Sequence, residues 1–323
     1  MIAFSHNPVL WQEAMDVLDL APGHRVVDCT VGGGGHSRYI LERILPSGFL
    51  VGIDQDHMAL EAAQEHLASV AKAIAGQAEG AQAYVLVHRN FSRIKEILSE
   101  LAIAAPDRAL MDLGVSSFQL DEGLRGFSYQ HTGELDMRMD SLSDGPTAQE
   151  VLMSASKEEL EQILWRYGEE RWGRRIARFI VEEREKAPIK TTSDLVRVIK
   201  KAVPRGARED GPHPARRSFQ ALRIHVNREL EILEQAICDM VDVLAPRGIL
   251  AVIGFHSLED RIVKDTFKKL ATGCVCPKHL PVCACGRTAL GKVLTPKPIQ
   301  PGAKEIEDNP RSRSAKLRAF QKI

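Results

Sequence analysis

The chain has 323 residues, of which 44% are hydrophobic, and its 43 lysines and arginines are matched by 43 aspartates and glutamates. That balance excludes both a disordered polyelectrolyte and a uniformly basic nucleic-acid coat, so any nucleic-acid contact must come from local basic patches. The length exceeds what one compact core usually takes, which predicts a main domain with a sizeable insertion or a second domain.

Met1 to Leu10 has no basic stretch leading into an apolar run, and no later segment is apolar for the length of a membrane span. The expectation is a cytoplasmic protein with no membrane partner. Four of the six cysteines crowd between Cys274 and Cys285, while Cys29 and Cys238 sit alone in apolar patterns. This is no secreted disulfide framework, and a reducing compartment fits it.

In chain order, Arg25 to Cys29, Phe49 to Ile53, Tyr84 to Val87 and Arg108 to Met111 read as buried strands. Between them, Ser37 to Leu45, His57 to Ala75 and Ile94 to Leu101 carry apolar residues at helical spacing. Such alternation predicts a parallel sheet with right-handed crossovers. A Gly/Ser-rich stretch, Gly114 to Gly145, offers no strand. Thr147 to Val203 is helical in pattern, in the segments Lys157 to Tyr167, Arg171 to Lys186 and Ser193 to Val203. After a polar linker, Pro204 to Pro214, the pattern predicts one long helix over Ser218 to Leu244 and a fifth strand over Ile249 to Phe255. The reading is a sheet domain split by a helical insertion.

The first strand runs into Asp28-Cys29-Thr30-Val31-Gly32-Gly33-Gly34-Gly35-His36, with a helix following. Glycines let the backbone turn tightly and let a ligand approach it, and the helix N-terminus offers unpaired N–H groups. The second strand ends at Asp54, placed to accept both hydroxyls of a ribose. A dinucleotide fingerprint needs a third glycine, but Ser37 and Arg38 stand at the two candidate positions. Asp28 would repel a pyrophosphate and attract a cationic amino-acid moiety, which favours S-adenosyl-L-methionine over NAD.

Several uncommon strings occur in order. They are His6-Asn7-Pro8-Val9-Leu10, the Asp28 to Ser37 loop, Asp112 to Asp121, Arg125-Gly126-Phe127-Ser128 with Leu135 to Asp140, and Gly168-Glu169-Glu170-Arg171. Phe219 to Asn227, Phe255 to Arg261 and Asn309 to Ser314 complete the set. Over nearly the whole chain they resemble the bacterial small-subunit ribosomal RNA (cytosine-N4)-methyltransferases. The resemblance implies an α/β fold: a Rossmann-like class I methyltransferase sheet with an inserted all-helical domain. The sheet domain is expected at 1–126 and 217–323, and a substrate-recognising insertion at 127–216. The implied activity is S-adenosyl-L-methionine-dependent N4-methylation of a 16S rRNA cytidine in the decoding region. The assembled small subunit is preferred over free RNA as partner, and a homodimer is left open.

By the same resemblance the cofactor contacts fall on Gly34, Gly35, His36, Asp54, Phe91, Asp112 and Gln119. Many amino-methyltransferases follow their fourth strand with two prolines and an aromatic; this chain has Asp112-Leu113-Gly114-Val115 there. Asp112 is therefore a catalytic candidate that either accepts an amine hydrogen or only positions cofactor, and His256 is a second candidate against a plain loop-bonding role. The base has to leave its stack to react, and the loop Phe118 to Tyr129 is a candidate holder. Phosphate contacts are expected from Arg216, Arg217, Arg223 and Arg228, and from a basic tail with Arg311, Arg313, Lys316, Arg318 and Lys322.

Cys274, Cys276, Cys283 and Cys285 are candidate metal ligands. Four thiolates complete a tetrahedral zinc shell, but C-x-C pairs are tighter than ordinary zinc knuckles, so structural zinc stands against reduced or redox-active thiols. Two other functions compete with methyl transfer. A noncatalytic RNA-binding or assembly factor has no need of a cofactor crevice, and an NAD-dependent oxidoreductase lacks its fingerprint.

Overall fold

The computed structural model describes residues 8–75, 83–116, 125–209, 213–277 and 284–323. The chain divides into two compact units, one of residues 1–114 and 230–323 and one of residues 115–229.

The first unit opens with α1 (Trp11–Leu18), β1 (Arg25–Asp28), α2 (Gly35–Ile44), β2 (Phe49–Asp54), α3 (His57–Ala75), β3 (Tyr84–His88), α4 (Ile94–Glu100) and β4 (Arg108–Asp112). The second holds α5 (Ala148–Ser154), α6 (Lys157–Gly168), α7 (Gly173–Arg184), α8 (Thr192–Ala202), α9 (Gly206–Glu209) and α10 (Arg216–Asn227). The chain returns to the first through α11 (Glu229–Val243), followed by β5 (Ile249–Gly254), α12 (Ser257–Ala271), β6 (Gly291–Val293), α13 (Ala303–Asp308) and β7 (Lys316–Lys322).

The seven strands form one sheet in the order β3-β2-β1-β4-β5-β7-β6. The first five are mutually parallel, and β7 runs antiparallel between β5 and β6. The expected Rossmann-like α/β sheet is therefore present. Alternate residues of each strand feed two cores, as the pleat requires. Val27, Val51, Ala109, Met111 and Val252 face one core with α4, α11 and α12. Val26, Leu50, Leu110, Ala251 and Ile253 face the other with α1, α2 and α3. A sheet covered on both faces reads as continuous apolar runs, which is why these strands were legible.

Three features depart from the sequence reading. The long helix expected over Ser218 to Leu244 is two helices, because Arg228 takes a left-handed backbone with φ of 53°. The units divide at 114/115 and 229/230, against the expected 126/127 and 216/217. The reason is that α10 belongs to the helical unit: a Cβ on Gly168 of α6 would lie 2.7 Å from the Arg217 carbonyl, so the two helices touch almost backbone to backbone. Finally, Lys316 to Lys322 of the basic tail form β7, a strand inside the sheet, while Arg311 and Arg313 precede it in a short turn.

Among the described residues, no helix is long and apolar enough to cross a membrane.

Candidate cofactor crevice and active site

Strand order reverses at β1: one neighbour continues to β2 and the other to β4. In a parallel sheet this opens a crevice beyond the carboxyl ends of the strands. Asp28, Asp54 and Asp112 are the last residues of β1, β2 and β4.

The glycine loop between β1 and α2 is held from several sides. Gly32 and Gly34 have φ of 49° and 84°, a conformation that strains any residue with a Cβ. A Cβ on Gly34 would press Leu67 at 3.3 Å, and one on Gly35 would meet Pro8 at 2.9 Å. The Asp54 carboxylate accepts from the N–H of Gly32 at 2.8 Å and of Asp56 at 2.9 Å, tying the loop to β2. Each of its oxygens keeps a lone pair, and the residue is only half-buried. Burial, followed by backbone hydrogen bonds that act the other way, leaves the Asp54 pKa at about 6.

Asp28 is held inside the protein. It is 1% exposed, with one oxygen accepting from the Ser37 hydroxyl at 2.7 Å and the other from the Thr30 N–H at 3.2 Å. It anchors the loop onto α2, and burial raises its pKa to about 6. Its negative charge still bears on the crevice.

Asp112 is the most informative group. Its N–H donates to the Thr30 hydroxyl at 2.7 Å, fixing the end of β4. Its Oδ1 is buried and has no hydrogen-bond partner among the described residues. Its Oδ2 lies 3.5 Å from Nδ1 of His36. The other ring nitrogen of His36, 3.1 Å from the Val9 carbonyl, must be the donor there, because a carbonyl only accepts. Burial drops the His36 pKa to about 4, so its ring is neutral and Nδ1 presents a lone pair. A lone pair facing a carboxylate oxygen is tolerable when the carboxyl carries a proton. Burial first, then the charges of Asp28 and Glu259, raise the Asp112 pKa well above its ordinary value.

His256 follows β5 and caps α12. Its Nδ1 accepts from the Glu259 N–H at 3.3 Å, while Glu259 accepts from the N–H groups of Phe255 and His256 at 2.7 and 3.2 Å. His256 thus caps α12 through Nδ1, while its Nε2 is buried 3.3 Å from a Glu259 oxygen with no hydrogen-bond partner among the described residues. Phe91 packs half-buried against the core beside α4, following Asn90, whose side chain caps that turn. Gln119 lies outside the described residues. The sheet thus brings Gly34, Gly35, His36, Asp54 and Asp112 to one crevice.

Sequence reasoning missed Thr30, Ser37, His66 and Glu259. They hold the loops rather than line them; His66, for example, contacts the Gly33 carbonyl at 3.2 Å. Thr30, Ser37 and Glu259 lie in the quoted strings, which carried no sign of these structural roles, and His66 had only the signal of a polar residue within a helical pattern.

These residues fit S-adenosyl-L-methionine. The charges that bear on Asp112 are those of Asp28 and Glu259, and those on Asp54 are Asp56 and Asp28, all acids. Such a crevice favours a cationic ligand over a phosphate. The bare Asp112 Oδ1 asks for an N–H donor that the described residues do not supply.

The arginines assigned to RNA divide. Arg223 forms a two-pronged pair with Glu229 at 2.9 Å for each bond, and Arg318 is 6% exposed, donating to Asp260 at 2.7 Å. Lys316 joins the same Asp260 at 3.0 Å, and Lys322 caps carbonyls of residues 242 and 244. These are internal pairs. Arg216, Arg217, Arg311 and Arg313 remain exposed. Phe127, offered as a base holder, is 7% exposed and lies under the Arg125 guanidinium; Phe118 is outside the described residues.

Cys274, Cys276 and Cys285 bring their sulfurs within 4.8 Å of one another, and Cys283 is outside the described residues.

The chain is similar to several known proteins. Ribosomal RNA small subunit methyltransferase H of Symbiobacterium thermophilum is 50% identical over 323 residues, covering 100% of this chain and 98% of the relative. The protein of the same name from Geotalea daltonii is 51% identical, with 100% of each chain covered. Among solved structures, an rRNA methylase from Streptococcus thermophilus aligns at 10% identity and a TM-score of 0.41, over 97% of this chain and 93% of its own; nothing is argued from so slight a likeness. The model of the MraW methylase family matches residues 3–323. The chain belongs to the MraW methylase family.

Proposed function

We propose that this protein transfers the methyl group of S-adenosyl-L-methionine to N4 of a 16S rRNA cytidine in the decoding region, acting in the cytoplasm on the assembled small subunit. The observation that carries the chemistry is the buried Asp112 Oδ1 at the switch point, without a hydrogen-bond partner among the described residues, beside a glycine loop and Asp54. The rRNA substrate rests on the half-identical relatives named as small-subunit rRNA methyltransferases.

The cofactor, when bound, supplies a methyl group activated on a sulfonium. Asp54 takes the ribose hydroxyls, and the glycine loop with the start of α2 takes the rest of the cofactor. The cytosine amine is a weak nucleophile because its lone pair is delocalised into the ring. The chain's contribution is therefore orientation and local electrostatics. Asp112 Oδ1 would accept one amine hydrogen and so orient the substrate amine. Thr30 holds the Asp112 backbone at the end of β4, and His36 lies against the other carboxyl oxygen.

We assign RNA recognition to the helical unit. An open groove of about 550 Å³ is lined there by Tyr129, Ser193, Val196, Arg197, Lys200 and Lys201. Tyr129 stacks on His213 with ring centres 4.7 Å apart and planes within 5°. Cations around an aromatic floor suit a phosphate backbone with exposed bases.

The test is incubation of small subunits lacking the modification with labelled cofactor, followed by nucleoside mass mapping. The expected product is N4-methylcytidine at one site of 16S rRNA. Label on another nucleoside, on another RNA or on no RNA overturns the reading.

A further inference from the structure

α12 begins at the crevice with the His256 cap and runs 15 residues away from it, about 22 Å at 1.5 Å per residue. Beyond its far end the chain makes an excursion before entering β6. The two ends of the excursion meet: the Leu290 N–H donates to the Leu270 carbonyl at 2.9 Å, and a Cβ on Gly273 would lie 3.5 Å from the Ala289 nitrogen. None of the described residues between 272 and 290 is buried, and Val275 and Leu290 are 52% and 42% exposed. The described part of this segment has no core of its own, so burial of apolar surface cannot be what gives it shape. Small segments in that position are commonly tied by a disulfide or a metal.

Three thiols converge there. Cys274 and Cys276 come from one arm and Cys285 from the other, and all three sulfurs lie within 4.8 Å of one another. The Cys274 and Cys285 sulfurs are 3.8 Å apart. Ligands at about 2.3 Å from one zinc in tetrahedral geometry are separated by about 3.8 Å, whereas a disulfide needs about 2.05 Å. The Ala284 N–H also donates to the Cys276 sulfur at 3.3 Å.

We propose that Cys274, Cys276 and Cys285 bind a structural zinc ion that ties the excursion after α12 to the start of β6. Three thiols lose three protons as three sulfur–zinc bonds form, with no change of oxidation state. The site lies at the opposite end of α12 from the crevice, so the ion takes no part in methyl transfer. Its role is to hold the outer end of the sheet.

The test uses the full-length protein purified under reducing conditions without chelator. Elemental analysis is expected to find about one zinc per chain. Growth on cobalt should give sulfur-to-metal charge-transfer absorption and the visible bands of a tetrahedral ion. Cys274→Ser with Cys285→Ser should lose the metal and lower the melting temperature, while Cys238→Ser keeps it. Cofactor affinity, measured by calorimetry, should stay within about twofold in all three proteins, which separates failure of this site from failure of the methyltransferase reading. Metal-free wild-type protein with every thiol open to alkylation, or a Cys274–Cys285 disulfide found under the same conditions, overturns the proposal. If the double variant does not fold, the cobalt spectrum of the wild-type protein still decides.

Discussion

Asp54 and Asp112 end neighbouring parts of the same sheet yet differ in what the protein asks of them. Asp54 is saturated by backbone donors on one side and open on the other, so its remaining lone pairs are available to two hydroxyls. Asp54→Ala should weaken S-adenosyl-L-methionine binding by about 1–3 kcal/mol, measured calorimetrically, because a paired acceptor is removed. Unchanged affinity would remove Asp54 from the site. The pH dependence follows from burial. Its folded pKa of about 6 lies above the ordinary 3.8, so Asp54 favours the folded, cofactor-free protein fully below pH 3.8 and loses that contribution as pH rises through about 6. Cofactor binding has the opposite sign, since the ionised carboxylate is the better acceptor for hydroxyls. Affinity should therefore fall as pH drops below about 6, with proton release on binding near that pH. Calorimetry in two buffers of different ionisation enthalpy reads this directly, and a buffer-independent heat at pH 6 would contradict it.

At the scale of elements, the C-terminal strand carries the largest revision. Arg311 to Lys322 holds basic residues and no acid, which in a sequence looks like a solvated RNA-binding tail. In the fold, Leu317, Ala319 and Phe320 are fully buried, and β7 pairs with β5 over six residues. Burial runs through Leu317, Arg318, Ala319 and Phe320 without alternation, so the interspersed charges left no strand period to read. Arg318 is tolerated inside only because Asp260 on α12 lies 2.7 Å away. Arg318→Ala should thus lower stability by about 2–3 kcal/mol in denaturant unfolding. Its RNA affinity, corrected for folded fraction, should match the wild type, and a selective loss of RNA binding would restore the tail reading. The break at Arg228 was hidden for a related reason. The apolar spacing runs through it without interruption, and nothing local demands the left-handed turn that separates α10 from α11. Gly126, by contrast, carries a strict local demand. Its φ is 79°, and a Cβ would lie 2.1 Å from the Glu134 carbonyl. That explains the Arg125-Gly126-Phe127 string as scaffold for the helical unit. Asn227 belongs to the same scaffold, bonding residues 137 and 139 at 2.7 Å each.

For the whole molecule, chemistry and recognition are assigned to separate units, and separate perturbations should follow. Lys200 and Lys201 are both exposed in the groove of the helical unit, where Lys201 also pairs with Glu183 at 2.9 Å. Changing both to Ala should weaken RNA binding and reduce the salt slope by about 2, at about 0.9 for each phosphate that is no longer neutralised. Cofactor affinity should be untouched, and an unchanged salt slope would move the RNA surface elsewhere. The sequence by itself determined the parallel sheet, the glycine loop, the acid at the end of β2 and the helical insertion, because each has a local signature: apolar runs, turn glycines, helical spacing. Its ordered strings also identified the family. Only the tertiary structure decided that Asp28 anchors the glycine loop, that His256 caps a helix, that Arg223 and Arg318 are paired inside, and that three cysteines from two arms meet. Those outcomes depend on which side chains distant in the chain come within hydrogen-bonding reach, and such distances are set by packing two cores against one sheet, which residue type and spacing do not encode.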